Sequence, residues 1–387
     1  MMFAICKVVN YYSSCRIIPK VSGNFGTLLQ RSFNRAFSCE IEANEPFVDL
    51  FSEEEHLKSM LPAVKEEIIE EHLVLHKDNK EIRNRCEKLI DYNINTESKF
   101  LTFPLIFLRT YKLLEKPALL NDENLKKACI LAWCHRLIHA SVIISDDIVD
   151  DSEMRYNKTT WCKLPDVGKE DAITDAAFLL TGAIFLLQNH LRHHPHNFIL
   201  QKHFLRGYAF INVSYMMDNR KHHINELEKY QVHTKLYFSN LFSTAMYLAN
   251  VENDYWQKVS DEVCNDISQY LKVEDDVIDL YDSKGKIRKC TDISLGRPSW
   301  FLMEAYKRAN AGQRKILEEN FDKNNEESVE KLYSIFQELE LLEVYRKFTD
   351  NFYAQEISKI REKIPKSIMQ DVLINLVNLA VNHKLRY

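Results

Sequence analysis

Glycine is scarce in this chain, with 8 residues in 387, and proline stands at 9. Sheet-rich folds of this size draw on glycine for turns whose backbone angles side chains resist. Barrels, sandwiches and doubly wound sheets are therefore disfavoured, and an all-α fold is expected. Ordered cysteine pairs are also missing. The 9 cysteines are irregularly spaced and contain no CxxC. That excludes a disulfide framework or cysteine zinc site and predicts reduced, mostly buried thiols in an intracellular protein. No strong charge excess exists: the net charge of -5 argues against a general nucleic-acid binder. No continuous apolar run reaches the roughly 18 to 20 residues of a membrane span. The longest, Ala176–Leu187, is interrupted by Thr181 and Gly182, so it reads as a core helix and no stable membrane insertion is expected. Glycine-rich phosphate loops and GxSxG elbows are absent as well.

Acidic residues are missing from the first 39 positions, which hold Lys7, Arg16, Lys20, Arg31 and Arg35. A basic, serine-containing, acid-free start of this kind predicts a mitochondrial targeting segment over residues 1–40, with a cytoplasmic protein as the alternative. From about residue 50 the apolar spacing is helical, as in Leu125, Ile130, Trp133, Leu137 and Ala140. Breaks are expected at Asn44–Phe47, Pro117, Leu164–Asp171, Arg192–Asn197, Tyr281–Lys286 and Asn310–Gln313. Ten or more helices in one domain, residues 41–387, are predicted.

What the chain does hold is carboxylate in two places. "SDDIVDD" contains Asp146, Asp147, Asp150 and Asp151, and "EDDVIDLYD" contains Asp275, Asp276 and Asp279. Both read D-D-x-x-D after an apolar helical run. Residues four apart share a helix face, so Asp146 pairs with Asp150 and Asp275 with Asp279. Carboxylate oxygens one turn apart suit hard cations. The chain offers its own control: Glu66–Glu70 and Glu326–Glu330 have similar charge spacing and read as solvated faces. The aspartates differ in their apolar flanks, where repulsion without a counter-ion is costly. Arg155 follows the first cluster, and Arg288, Lys289 and Arg297 follow the second. Facing aspartate clusters with cations nearby fit a magnesium-bridged diphosphate whose carbon–oxygen bond is to be ionised.

At these residues the sequence resembles the class I trans-prenyl diphosphate synthases, above all farnesyl diphosphate synthase. "DDIVDDSEMR" resembles their first aspartate-rich motif with its arginine. "EDDVIDLYD", Thr291, Asp292, Ile293, Ser299 and Trp300 resemble the second and its sequel. The resemblance implies an isoprenoid synthase fold with helices around a central cavity, three Mg²⁺ ions and a homodimer. It places metals on Asp146, Asp150 and Asp275, with Asp147 and Asp279 in the same clusters and Asp218 on a neighbouring helix. It places the diphosphate on Arg155, Arg297, Lys289 or Arg288, Thr234 and Lys235.

The departures from that family matter more. Its acceptor pocket for isopentenyl diphosphate is cationic, built on G-G-K-x-x-R and a second arginine after the first motif. Here those positions fall on Phe100, Phe103 and Tyr156, and the polar segment before Asp218 reads "FINVSY". Each lost charge contact costs about 2 to 5 kcal/mol. The implied reading is a sesquiterpene synthase acting on farnesyl diphosphate, similar to the insect terpene synthases, whose cation closes to a bisabolyl-type ring and loses a proton or gains water. The alternative is a prenyltransferase making geranyl, farnesyl or geranylgeranyl diphosphate. Aromatic faces would steady the cation, Tyr215 first, then Tyr237 and Phe238. Small residues at Ser141 and Val142 would deepen the cavity floor for a C15 chain. No dedicated general base is evident. His190, His193, His194 and His196 lack ligand spacing and read as a solvated loop.

Overall fold

The computed structural model describes residues 53–94, 98–156, 158–218, 223–229, 237–280, 293, 296–323 and 325–381. Within them the chain is almost wholly helical, as the glycine shortage predicts. The order begins with α1 (Glu54–Ser59), α2 (Leu61–His72), α3 (Lys80–Asn93), α4 (Ser98–Leu114) and α5 (Asp122–Val149). A two-stranded hairpin follows, β1 (Met154–Arg155) and β2 (Lys158–Thr159). Next come α6 (Gly168–Leu191), α7 (Asn197–Asp218), α8 (Tyr237–Leu248) and α9 (Asp254–Leu280). The chain closes with α10 (Trp300–Arg308), α11 (Ala311–Asn320), α12 (Glu326–Glu338), α13 (Leu341–Lys363) and α14 (Ile368–Val381).

Helix α5 is the axis of the fold. Asn121 caps it by accepting from the Asn124 amide at 3.0 Å, and Asp122 and Glu123 place negative charge at its positive end. Its 28 residues span about 42 Å. Nearly every side chain from Ala128 to Asp147 is buried, which explains why it is apolar on all sides. Length and composition alone would let α5 cross a membrane, but its most apolar stretch is 94% buried within the protein. No unbroken apolar run of that length exists; α5 reaches it only with polar residues such as Ser141 and His139 included.

Helices α6 and α4 pack on α5, and α8 packs on α4. At Gly182 of α6 a Cβ would stand 2.8 Å from the Ile68 side chain of α2, so the glycine permits that close approach. A second, smaller core forms around Trp300, Phe301, Leu332 and Phe336, joining the end of α9 to α10, α12 and α13. The break expected over Leu164–Asp171 is shorter than predicted, because α6 starts at Gly168 with Glu170 and Asp171 in its first turn. The five described cysteines are all buried and free. Glu66 and Glu70, expected to be merely solvated, pair with Arg83 of α3 and tie two helices together. His190 of α6 pairs with Glu67 of α2, and His196 with Glu252 in the loop before α9, so these two histidines contact carboxylates instead of standing in solvent.

Trp133 is fully buried on α5, and its indole nitrogen donates to the Leu57 carbonyl of α1 at 3.0 Å. Trp133→Ala is expected to cost about 3–5 kcal/mol through cavity formation. Chemical denaturation would show it as a lowered midpoint.

Candidate active site

Helix α5 ends where its carboxylates begin. Asp146 and Asp147 are buried in its last turn, and Asp150 is its C-cap. The chain then reverses sharply, with Asp151 at φ 53° and Tyr156 at φ 55°. This reversal brings β1 back alongside the helix end. Arg155 donates from Nη2 to Asp146 at 2.9 Å and from Nε to Asp147 at 2.9 Å. Both carboxylates and the guanidinium are buried.

The second cluster lies near the end of α9. Glu274, Asp275 and Asp276 are all buried. Glu274 accepts from the hydroxyls of Tyr270 at 2.6 Å and Tyr345 at 3.2 Å. Asp276 accepts from Lys272 at 2.5 Å and from the Trp300 amide at 2.7 Å, where it starts α10. Asp275 stands between these two structural carboxylates in sequence. Arg297, in the segment leading into α10, donates from both terminal nitrogens to Asp150, one at 3.3 Å. A residue that follows the second cluster thus contacts the first, across 147 positions of sequence.

Of the residues singled out from sequence, Asp146, Asp147, Asp150, Arg155 and Arg297 are brought together. The side chains of Asp218, Tyr215, Tyr237, Asp279 and Phe100 lie outside the described residues, as do Thr234, Lys235, Arg288 and Lys289. Ser141 and Val142 part company. The Ser141 hydroxyl donates to the Ala176 carbonyl of α6 at 2.7 Å. Its five-residue offset from Asp146 places it about 140° around the helix. Val142 is buried and only about 40° from Asp146, so it alone of the pair shares the carboxylate side.

A small pocket opens behind Asp147. Tyr92, Arg136, Arg155, Tyr156, Lys158 and Trp161 line it. Tyr156 is the residue found in place of the acceptor-side arginine. The expectation that this side has been stripped of positive charge needs correcting. Arg136 is buried there, donating to the Asn93 carbonyl at 2.8 Å, and Lys158 lies at its edge. Phe103, the other replacement described, is buried edge-on against Phe238, with ring centres 5.3 Å apart. Arg136 was missed because it is one charge inside a long apolar run. An ionisable residue on a fully buried helix was the available signal.

A family model described as polyprenyl synthetase matches residues 83–339. The chain belongs to the polyprenyl synthetase family. Among similar proteins, a geranyl diphosphate synthase of Ips pini is 29% identical, covering 76% of this chain and 76% of that protein. A farnesyl pyrophosphate synthase of Murgantia histrionica is 27% identical over 81% and 80%. One from Kluyveromyces lactis is 30% identical over 72% and 82%.

The electrostatics of this polyprenyl synthetase site suit a hard cation. Burial pushes Asp146 up from 3.8 to about 7, and the neighbouring Asp150 and Asp147 add to the rise while Arg155 opposes it. Asp147 is raised for the same first reason, again against Arg155. Burial thus outweighs the ion pair. Among the described residues no three His, Cys, Asp or Glu side chains gather as a ready metal cage. Instead, Arg155 and Arg297 cover the carboxylates. Oxygen donors crowded on one helix end, with guanidinium groups as their counter-charges, fit a divalent cation.

A raised folded pKa gives stability that is present below the unfolded value and lost as pH rises through about 7. Without divalent cation, the melting temperature should therefore carry a decline between about pH 4 and pH 7 from this group. Added Mg²⁺ should raise it more at the higher pH. Equal shifts at both pH values in a thermal-denaturation series would contradict this.

Proposed function

We propose that the chain is a Mg²⁺-dependent enzyme that ionises an allylic diphosphate, and that it works as a sesquiterpene synthase on farnesyl diphosphate. Asp146, Asp150 and Asp275 would hold three magnesium ions, with Asp147, Asp218 and Asp279 beside them. Bound magnesium would neutralise the charge that develops on the departing diphosphate. Arg155 and Arg297 turn from carboxylate to diphosphate oxygens, joined by Lys235, Thr234 and Lys289 or Arg288. The observation that carries the terpene reading is Tyr156 in the pocket behind Asp147, together with buried Phe103. Tyr156 and Phe103 stand at two positions where the family resemblance would set cations for a second diphosphate, although Arg136 and Lys158 remain beside Tyr156. Aromatic faces there suit a carbocation, and Tyr215, from sequence alone, is a further candidate.

A second reading is condensation with isopentenyl diphosphate. The relatives named above are called geranyl or farnesyl diphosphate synthases, and those names favour it over the first. Buried Arg136 and nearby Lys158 also favour it, since they return positive charge to the pocket. Residues 1–40 as a mitochondrial targeting segment and 41–387 as one domain stand as proposals too; residues 1–52 lie outside the described residues.

The deciding experiment incubates the protein with C10, C15 and C20 allylic diphosphates and Mg²⁺, with and without isopentenyl diphosphate. A cyclic C15 hydrocarbon or alcohol formed without isopentenyl diphosphate supports the first reading. A longer diphosphate, formed only with it, establishes the second. Under either, Asp146→Ala and Asp275→Ala should each lower turnover by roughly 10²–10³-fold, with the circular-dichroism spectrum unchanged.

We also propose a homodimer through α7. Phe198, Leu205 and Met216 are 79%, 51% and 67% exposed. Their spacing of 7 and 11 residues puts them within about 20° of one line. Such a stripe fits a second copy of the chain. Leu205→Glu should convert a dimer to a monomer in light scattering.

A further inference from the structure

Three consecutive residues of α9, Glu274, Asp275 and Asp276, are buried carboxylates. Successive residues on a helix face directions about 100° apart. Glu274 and Asp276 therefore lie on opposite sides of α9, about 160° apart, and Asp275 lies midway along the wider arc between them. Whatever holds the outer two fixes the direction of the middle one.

The two sides are held by different elements. On one, Glu274 Oε1 accepts from the Tyr270 hydroxyl, one turn earlier, at 2.6 Å and from the Tyr345 hydroxyl of α13 at 3.2 Å. Both tyrosines are set by other rings. Tyr270 is fully buried and stacks on Phe352 of α13, with ring centres 4.4 Å apart and planes 15° from parallel. Tyr345 meets the Trp300 ring edge-on at 6.0 Å. On the other side, Asp276 accepts from Lys272 at 2.5 Å and from the Trp300 amide at 2.7 Å. Trp300 thus belongs to both fastenings: its amide donates to Asp276 and its ring backs Tyr345. Apolar packing alone would join α9 to α13 without burying a charge. Hydrogen bonds add direction, because they weaken steeply as their angles open.

We propose that Glu274 is a positioning residue. With Tyr270 and Tyr345 it fixes the rotation of α9 about its own axis and so aims the Asp275 carboxylate. This rests on the reading of Asp275 as a magnesium ligand. Asp276 holds the opposite side, so loosening Glu274 leaves α9 fastened on one side only. Groups that orient a ligand in this way change metal affinity by about 10- to 100-fold when removed.

The test titrates Mg²⁺ in the presence of inorganic diphosphate and follows the melting temperature of the full chain. It reads a Mg²⁺ midpoint separately from the stability without metal. The variants are Glu274→Gln, Glu274→Leu and Tyr270→Phe combined with Tyr345→Phe. Glutamine still offers an oxygen to both hydroxyls, and leucine offers none. The phenylalanines keep the rings and lose the donors. The midpoint should rise about tenfold or more in Glu274→Leu and in the double variant, and stay within about twofold of wild type in Glu274→Gln. A lowered melting temperature with an unmoved midpoint would mean that Glu274 only joins helices, and would overturn the proposal. So would a midpoint raised equally in Glu274→Gln, since charge and not hydrogen bonding would then be responsible. Should Glu274→Leu fail to fold, the double variant decides alone. Asp275→Asn is measured alongside. If wild type shows no Mg²⁺ midpoint, or Asp275→Asn leaves it unmoved, the reading of Asp275 as a ligand has failed and the proposal falls with it. If Asp275→Asn raises the midpoint and the other variants do not, the positioning role alone has failed.

Discussion

Burying two adjacent aspartates at the end of a core helix is the constraint on which this site depends. Asp146 and Asp147 share one guanidinium, that of Arg155, and burial still raises their affinity for protons. Removing one partner of such a buried cluster is far more costly than exposing a surface pair. The local backbone follows from this need. Asp151 and Tyr156 take positive φ so that the chain can reverse and carry Arg155 back over the helix end. The hairpin is small, but it closes the electrostatics of α5.

The same logic couples the two halves of the site. Arg297 reaches Asp150 from the segment after α9, while the neighbouring Asp276 holds the start of α10 through the Trp300 amide. One carboxylate positions the helix; the adjoining arginine covers the opposite cluster. The resting arrangement is thus a set of ion pairs, into which the proposed function would bring a divalent cation and an anionic ligand. Arginine suits that role, because its charge persists at any working pH and its planar donors match both carboxylate and phosphate.

Much of this was legible in the residues. Scarce glycine and the 3.6-residue periodicity announced a helical protein, and paired aspartates after apolar runs marked the ends of α5 and α9. Other features were not. Arg136 sits inside an apolar run, where one-dimensional reading assigns core. Ser141 was grouped with Val142 by sequence adjacency, yet consecutive residues on a helix face directions about 100° apart. The glutamates of α2 gave no sign of Arg83 as a partner, because that contact depends on how α2 and α3 pack.

The sequence by itself determined the helical class, the two carboxylate clusters and the cations that follow them, since these rest on composition and local spacing. Only the tertiary structure decided which cation meets which carboxylate. It also showed that the pocket beside Tyr156 retains positive charge. Those relations join residues on different helices or successive turns, and packing against α4 and α6 sets the direction in which each side chain of α5 points.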